Sequence, residues 1–134
     1  MPIYSKHAKV IAFSQFLDSA QNYGVDDCTL TAQGVVADVY GHKVVWPGTV
    51  IAKVTGSHLP TYGKCVVRLA APTYGPGSDV AWGLLRNIAD LTGGEQVVAL
   101  VTWGHVRTAH ITDAGTVGAV AAATKAALPH IQWH

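Results

Sequence analysis

From about residue 29 to residue 111 the chain is a succession of short β-branched runs, each stopped by a turn signal. Val35-Val36-Ala37-Asp38-Val39-Tyr40 ends at Gly41-His42, and Val44-Val45-Trp46 ends at the turn dipeptide Pro47-Gly48. Thr49 to Thr55 is stopped by Gly56-Ser57, and the shorter runs Leu59–Tyr62 and Cys65–Leu69 flank Gly63. β-branched and aromatic side chains suit a pleated, half-buried surface, and Gly or Pro between them turns the chain. Such punctuation leaves little room for long helices and predicts many short strands. Gln96 to Trp103 is the strongest of them; Gly104 interrupts it, and His105–Ile111 continues it with alternation. Val80–Ala89 is apolar enough for helix or strand, but Gly83 disfavours helix. Pro72–Asp79 reads as a loop, and Asp90–Glu95, with Gly93-Gly94, as a hairpin connection.

The two ends differ from this middle. Phe13, Phe16, Leu17 and Ala20 fall on one face of a short helix that Asn22-Tyr23-Gly24 would end. Residues 2–9 show no period and read as an extended arm. At the other end, Thr112-Asp113 opens an alanine-rich segment running to Leu128. It predicts a helix with Thr112 or Asp113 as N-cap and Pro129 as its stop. A length of 134 residues fits one compact domain. The expected class is α+β and β-rich: short mixed strands in a compact β-barrel or sandwich-like domain over residues 31–134, with a C-terminal helix. An N-terminal arm or short helix over residues 1–30 precedes it.

Charge narrows the function. Charged residues are 13% of the chain, about half the usual share, and nine basic against eight acidic residues leave a net +1. A nucleic-acid binder would carry a basic patch, and a disordered chain would be polar and highly charged. No apolar run is long enough for a membrane-spanning helix, and no basic segment leads into an apolar leader at the N-terminus. The expectation is a protein made in a cytoplasm whose low-charge surface is covered by partners. Cys28 and Cys65 have neither redox-pair nor zinc spacing and read as two buried thiols rather than a disulfide.

Groups that could carry chemistry are scattered. His105 and His110 would point to opposite faces of one strand, and His130 and His134 follow Pro129. His7, His42 and His58 stand alone, so no metal site is expected. Most carboxylates sit at turns or caps, where aspartate binds nearby backbone. Ser78 lacks the G-x-S-x-G turn of a nucleophile, and Gly75-Pro76-Gly77 is no phosphate loop. Among the tryptophans, Trp82 and Trp103 lie in strong apolar segments and are expected in the core or near it. Trp46, beside Pro47-Gly48, and Trp133, near the end, suit core or interface equally.

Five segments carry a resemblance in their order. They are Pro47–Gly56, Gly77–Leu85, Asp90–Val101, Gly104-His105-Val106-Arg107 and the alanine-rich Ala121–Pro129. Together they resemble the head decoration proteins of lambda-type tailed bacteriophages, over roughly residues 34 to 133. The resemblance implies a homotrimeric cement on the outer surface of the expanded virion head, made in the bacterial host cytoplasm. It would sit at local three-fold axes and clamp the major capsid protein against internal DNA pressure. It implies no catalysis, no cofactor, and neither nucleic acid nor membrane as partner. An N-terminal arm commonly reaches the capsid in this family, which makes Pro2, Ile3, Tyr4, Val10, Ile11 and Phe13 capsid-contact candidates. Trp46, Pro47 and Trp133 are interface candidates. The first 30 residues are longer and more helical in pattern than a simple arm. Other phage structural modules, such as a head-fibre base or tail component, are the alternative; a small ligand-binding or enzymatic β-domain is a further one. An enzyme would need a pocket with convergent polar groups, whereas a cement would expose an apolar patch without a deep cleft.

Overall fold

The longest strand organises the molecule. The computed structural model describes residues 16–17, 23–55, 62–69 and 80–134. Its strands are β1 (Tyr23–Leu30), β2 (Val44–Val45), β3 (Val50–Lys53), β4 (Cys65–Val67), β5 (Val80–Leu85), β6 (Ala89–Asp90), β7 (Gln96–Val106), β8 (Thr112–Asp113), β9 (Thr116–Val117) and β10 (Ile131–Trp133). Among the described residues one α-helix, α1 (Ala122–Ala127), precedes β10. Strands β1, β4, β3, β5 and β7 follow one another around a closed five-stranded barrel, because β7 pairs back onto β1. β7 serves three neighbours along its length. It is antiparallel to β1 from Tyr23–Gly104 to Leu30–Gln96, antiparallel to β5 at Leu84–Val101 and Leu85–Leu100, and parallel to β10 at its far end. Closure removes most of the open edges that an open sheet would leave.

Successive side chains on a strand face opposite ways, and here both ways are covered. Leu30, Ile51, Cys65, Leu85 and Leu100, one from each barrel strand, pack together with Val45, Ala89 and Leu91. Their neighbours Val50, Leu84 and Val101 face the other way and pack with Phe16, Leu17, Ile111, Leu128 and Ile131. The chain ends therefore supply a second apolar layer against the barrel wall. Gly83 is required where β5 crosses β7: a Cβ there would lie 2.9 Å from the Val101 carbonyl oxygen and 3.0 Å from Leu100 Cβ. The bulge between Ile51 and Ala52 falls opposite it.

The β-rich class, the barrel and the C-terminal helix agree with the sequence; several elements do not. Of the expected N-terminal helix, Phe16 and Leu17 are described: both are buried, and Leu17 bridges to Val106 as a strand residue would. The rest of that helix lies outside the described residues, as do the loop at 72–79 and residues 59–61 of the run that ends at the exposed turn residue Tyr62. Tyr23 and Gly24 begin β1 rather than end a helix, and β1 belongs to the barrel although it lies within residues 1–30. β7 runs through Gly104, and a 3-10 turn at Thr108–His110 replaces its expected continuation. Val35–Tyr40 is not a strand.

The long C-terminal helix is also shorter than expected. Thr112–Val117 is a hairpin whose two loop residues, Ala114 (φ 52°) and Gly115 (φ 83°), both have positive φ. That is the backbone of the tight turn that matches strand twist. Alanine is a poor signal for it, which hid the hairpin in an alanine-rich segment. Helix α1 has only six residues, and its N-cap is Ala121. Asp113 still caps it, but from across the hairpin: Asp113 Oδ2 accepts from the Ala121 N–H (2.8 Å) and the Thr124 hydroxyl (2.9 Å). Its Oδ1 accepts from Arg68 Nη1, so a buried carboxylate ties β4, the hairpin and the helix together.

Candidate binding surface

The residues expected to form the Val35–Tyr40 strand form an exposed loop instead. Val36, Val39 and Tyr40 are 88%, 91% and 82% exposed, and Trp46 is 50% exposed. The loop is held rather than loose. Asp38 Oδ1 accepts from the Tyr40 N–H (2.8 Å) and the His42 N–H (3.0 Å). Backbone bonds Asp38 N–His42 O (2.9 Å) and Gly41 N–Asp38 O (3.0 Å) close the turn. The His42 N–H, donating to the ionised carboxylate, is the main cause holding the Asp38 carboxyl below the usual aspartate value.

Strand pairing carries the chain from this loop to Trp46. Val44 and Val45 of β2 pair with Asp90 and Ala89 of β6, and the Lys43 N–H donates to Thr92 Oγ1 at 2.9 Å. The turn beyond Trp46 is fixed by two contacts. The Thr49 hydroxyl donates to the Trp46 carbonyl at 2.7 Å, and Gly48, at φ 85°, lies where a Cβ would come within 2.8 Å of the His110 carbonyl oxygen. A shallow groove of about 180 Å³ beside the loop is lined by Val35, Val36, Val44, Val45, Trp46, Thr49 and Val67. Six of those seven side chains are apolar.

A second exposed aromatic region corrects the sequence expectation for Trp82 and Trp103. They are 38% and 49% exposed, not core residues. Both line an open groove with Asp26, Thr102 and the end of α1. The Trp103 indole lies over Gly24 in the opposite strand, where any Cβ would collide with it, and Lys53 Nζ sits 4.2 Å from the Trp82 ring centroid. No period in the sequence could have revealed these outward positions, since both lie in nearly unbroken apolar runs.

The interface candidates separate. Trp46 is exposed, whereas Pro47, next to it in the chain, is buried. Trp133 is half-buried against the Phe16–Ile131 layer, and its buried indole N–H has no hydrogen-bond partner among the described residues. Pro2, Ile3, Tyr4, Val10, Ile11 and Phe13 lie outside the described residues. Cys28 and Cys65 are not free thiols: they form a disulfide, with Cα atoms 6.3 Å apart. Spacing could not reveal that pair, because barrel closure brings together residues 37 apart in sequence.

Titratable groups do not converge. Asp26 and Asp27 are adjacent and exposed on β1 and border one open cleft whose other lining residues include no carboxylate, so they do not flank a substrate bond from two sides. Asp90 binds a nearby backbone N–H, as expected of a turn aspartate, and Asp38, read within a strand, does the same. His105 and His134 are paired across β7 and the end of β10, Nδ1 to Nε2 at 2.9 Å with stacked rings. Among the described residues no three His, Cys, Asp or Glu side chains gather to hold a metal ion. No helix among them is long and apolar enough to cross a membrane. No protein-family model matches this chain, and no curated protein matches it either.

Proposed function

We propose that this chain is a capsid decoration protein, a trimeric cement for the outside of an expanded phage head. The observation that carries the proposal is the exposure of Val36, Val39, Tyr40 and Trp46, two of them on a turn at residues 38–42 whose backbone is hydrogen-bonded. Burying one such side chain is worth roughly 1.5–3 kcal/mol, so leaving several in water is unfavourable unless a partner covers them. A patch made of backbone-fixed apolar groups suits a partner surface repeated around a shell, where fit matters more than charge. The low charge of the whole chain agrees with that.

Cementing follows from mass action. A protein that binds only the expanded lattice stabilises that lattice against the compact one and against rupture. A cyclic trimer would match the three-fold position and present three copies of the patch at once. Nothing in this mechanism calls for a cofactor or a reacting group.

Co-sedimentation with compact and expanded heads tests the proposal. Saturable binding to expanded shells alone, in multiples of three per three-fold site, is the expected result. Binding to neither shell overturns it and directs the search to tail and fibre components. Binding should also change little between low and moderate salt, because few charges are available.

A further inference from the structure

The five seams of the barrel are not equally strong. β1 meets β7 along its entire length, and β3 meets β5 from Val50–Leu84 to Lys53–Val80. The β1–β4 seam has one register pair among the described residues, Leu30 opposite Cys65, with the Thr31 N–H donating to the Cys65 carbonyl at 3.0 Å. The disulfide lies at that seam, joining Cys28 of β1 to Cys65 of β4. The two cysteines are also unequal in exposure. Cys65 is fully buried, whereas Cys28 is half-buried and lines an open cleft with Asp26, Asp27, Thr29, Lys53, Gly63, Trp82 and Val97.

We propose that the Cys28–Cys65 disulfide is a thiol-exchangeable latch on the barrel, addressed at Cys28 through this cleft. Closed, it holds the β1–β4 seam; open, it leaves β1 paired to β7 and frees the seam to part. The proposal is independent of the capsid reading. In the opening step a thiolate from solvent attacks Cys28 Sγ. The bond to Cys65 breaks, a mixed disulfide forms on Cys28, and the Cys65 thiolate leaves and takes a proton. A second thiol then attacks the small-molecule sulfur of that mixed disulfide. It releases the Cys28 thiolate, so the protein gains two electrons and the reagent becomes a disulfide. Closing is the reverse, with a small-molecule disulfide as the oxidant. Asp26 and Asp27 outnumber Lys53 around the cleft, so a cationic thiol should enter faster than an anionic one.

The test uses the folded wild-type protein with cysteamine, 2-mercaptoethanesulfonate and dithiothreitol. The mapped mixed disulfide should fall on Cys28 at least tenfold more than on Cys65, and cysteamine should react several-fold faster than the sulfonate. After dithiothreitol, amide exchange over 23–30 and 65–67 should rise at least tenfold while β5 stays protected. The Cys28→Ser variant, with no bond to form, should show the same seam exchange. Three results would each overturn the latch: adducts shared equally by both cysteines, reduction no faster than global unfolding, or unchanged exchange at the seam.

Discussion

Val35–Tyr40 and Gln96–Val101 are near-equals in composition and opposites in fate. Both string valines with one polar residue and one or two larger apolar ones. In β7, Leu100 and Val101 are fully buried, whereas Val36 and Val39 of the loop are almost fully exposed. The difference lies in what satisfies the backbone. β7 has β1 on one side and β5 or β10 on the other. In the loop, the Asp38 carboxylate takes the Tyr40 and His42 N–H groups that a ladder would have used. A side chain that hydrogen-bonds its own backbone competes with sheet formation, and a β-branched run then has propensity without pairing.

Substitutions can break that contrast or sharpen it. Leu100→Ala, in the barrel interior, should cost about 2–5 kcal/mol in denaturant unfolding, and a cost under about 0.5 kcal/mol would mean that β7 is not the core strand. Gly83→Ala should cost about 1–3 kcal/mol, because the added methyl meets the Val101 carbonyl and Leu100. Val39→Ser and Tyr40→Ala should each leave stability within about 0.5 kcal/mol, since both side chains stand in water. Together they should weaken binding to expanded heads at least tenfold, measured by co-sedimentation. Unchanged binding would remove the loop from the contact.

The smallest expected effect concerns pH. The Asp38 carboxyl is lowered in the folded loop, so its contribution is fully present above the ordinary aspartate value of 3.8 and is lost as pH falls through the lower folded value. Amide exchange at Tyr40 and His42 should therefore quicken, relative to its intrinsic pH dependence, only in strong acid. Asp38→Asn, which cannot ionise, should remove that extra acid dependence. An unchanged profile in the variant would show that the carboxylate does not hold the turn.

Much of the barrel was legible because its signals are local. Gly83 made a strand of an ambiguous segment, Pro129 marked the end of the last helix, and Asp90 announced a turn. The binding patch was only half legible. Trp46 stood out beside Pro47-Gly48, but the outward turn of Val36, Val39 and Tyr40 did not, since their spacing also fits a strand. Trp82 and Trp103 read as core or near it because burial is not a property of a run but of what covers it.

By itself, then, the order of residues determined a β-rich domain, where most of its strands break, and a surface poor in charge. Those follow from backbone sterics and side-chain type, which act over a few residues. Only the tertiary structure decided that β7 closes onto β1, that Cys28 meets Cys65, that Asp113 caps a helix it does not begin, and which tryptophans face water. Each of these depends on strands distant in sequence coming into register. A side chain's partners there are set by barrel closure, not by its neighbours in the chain.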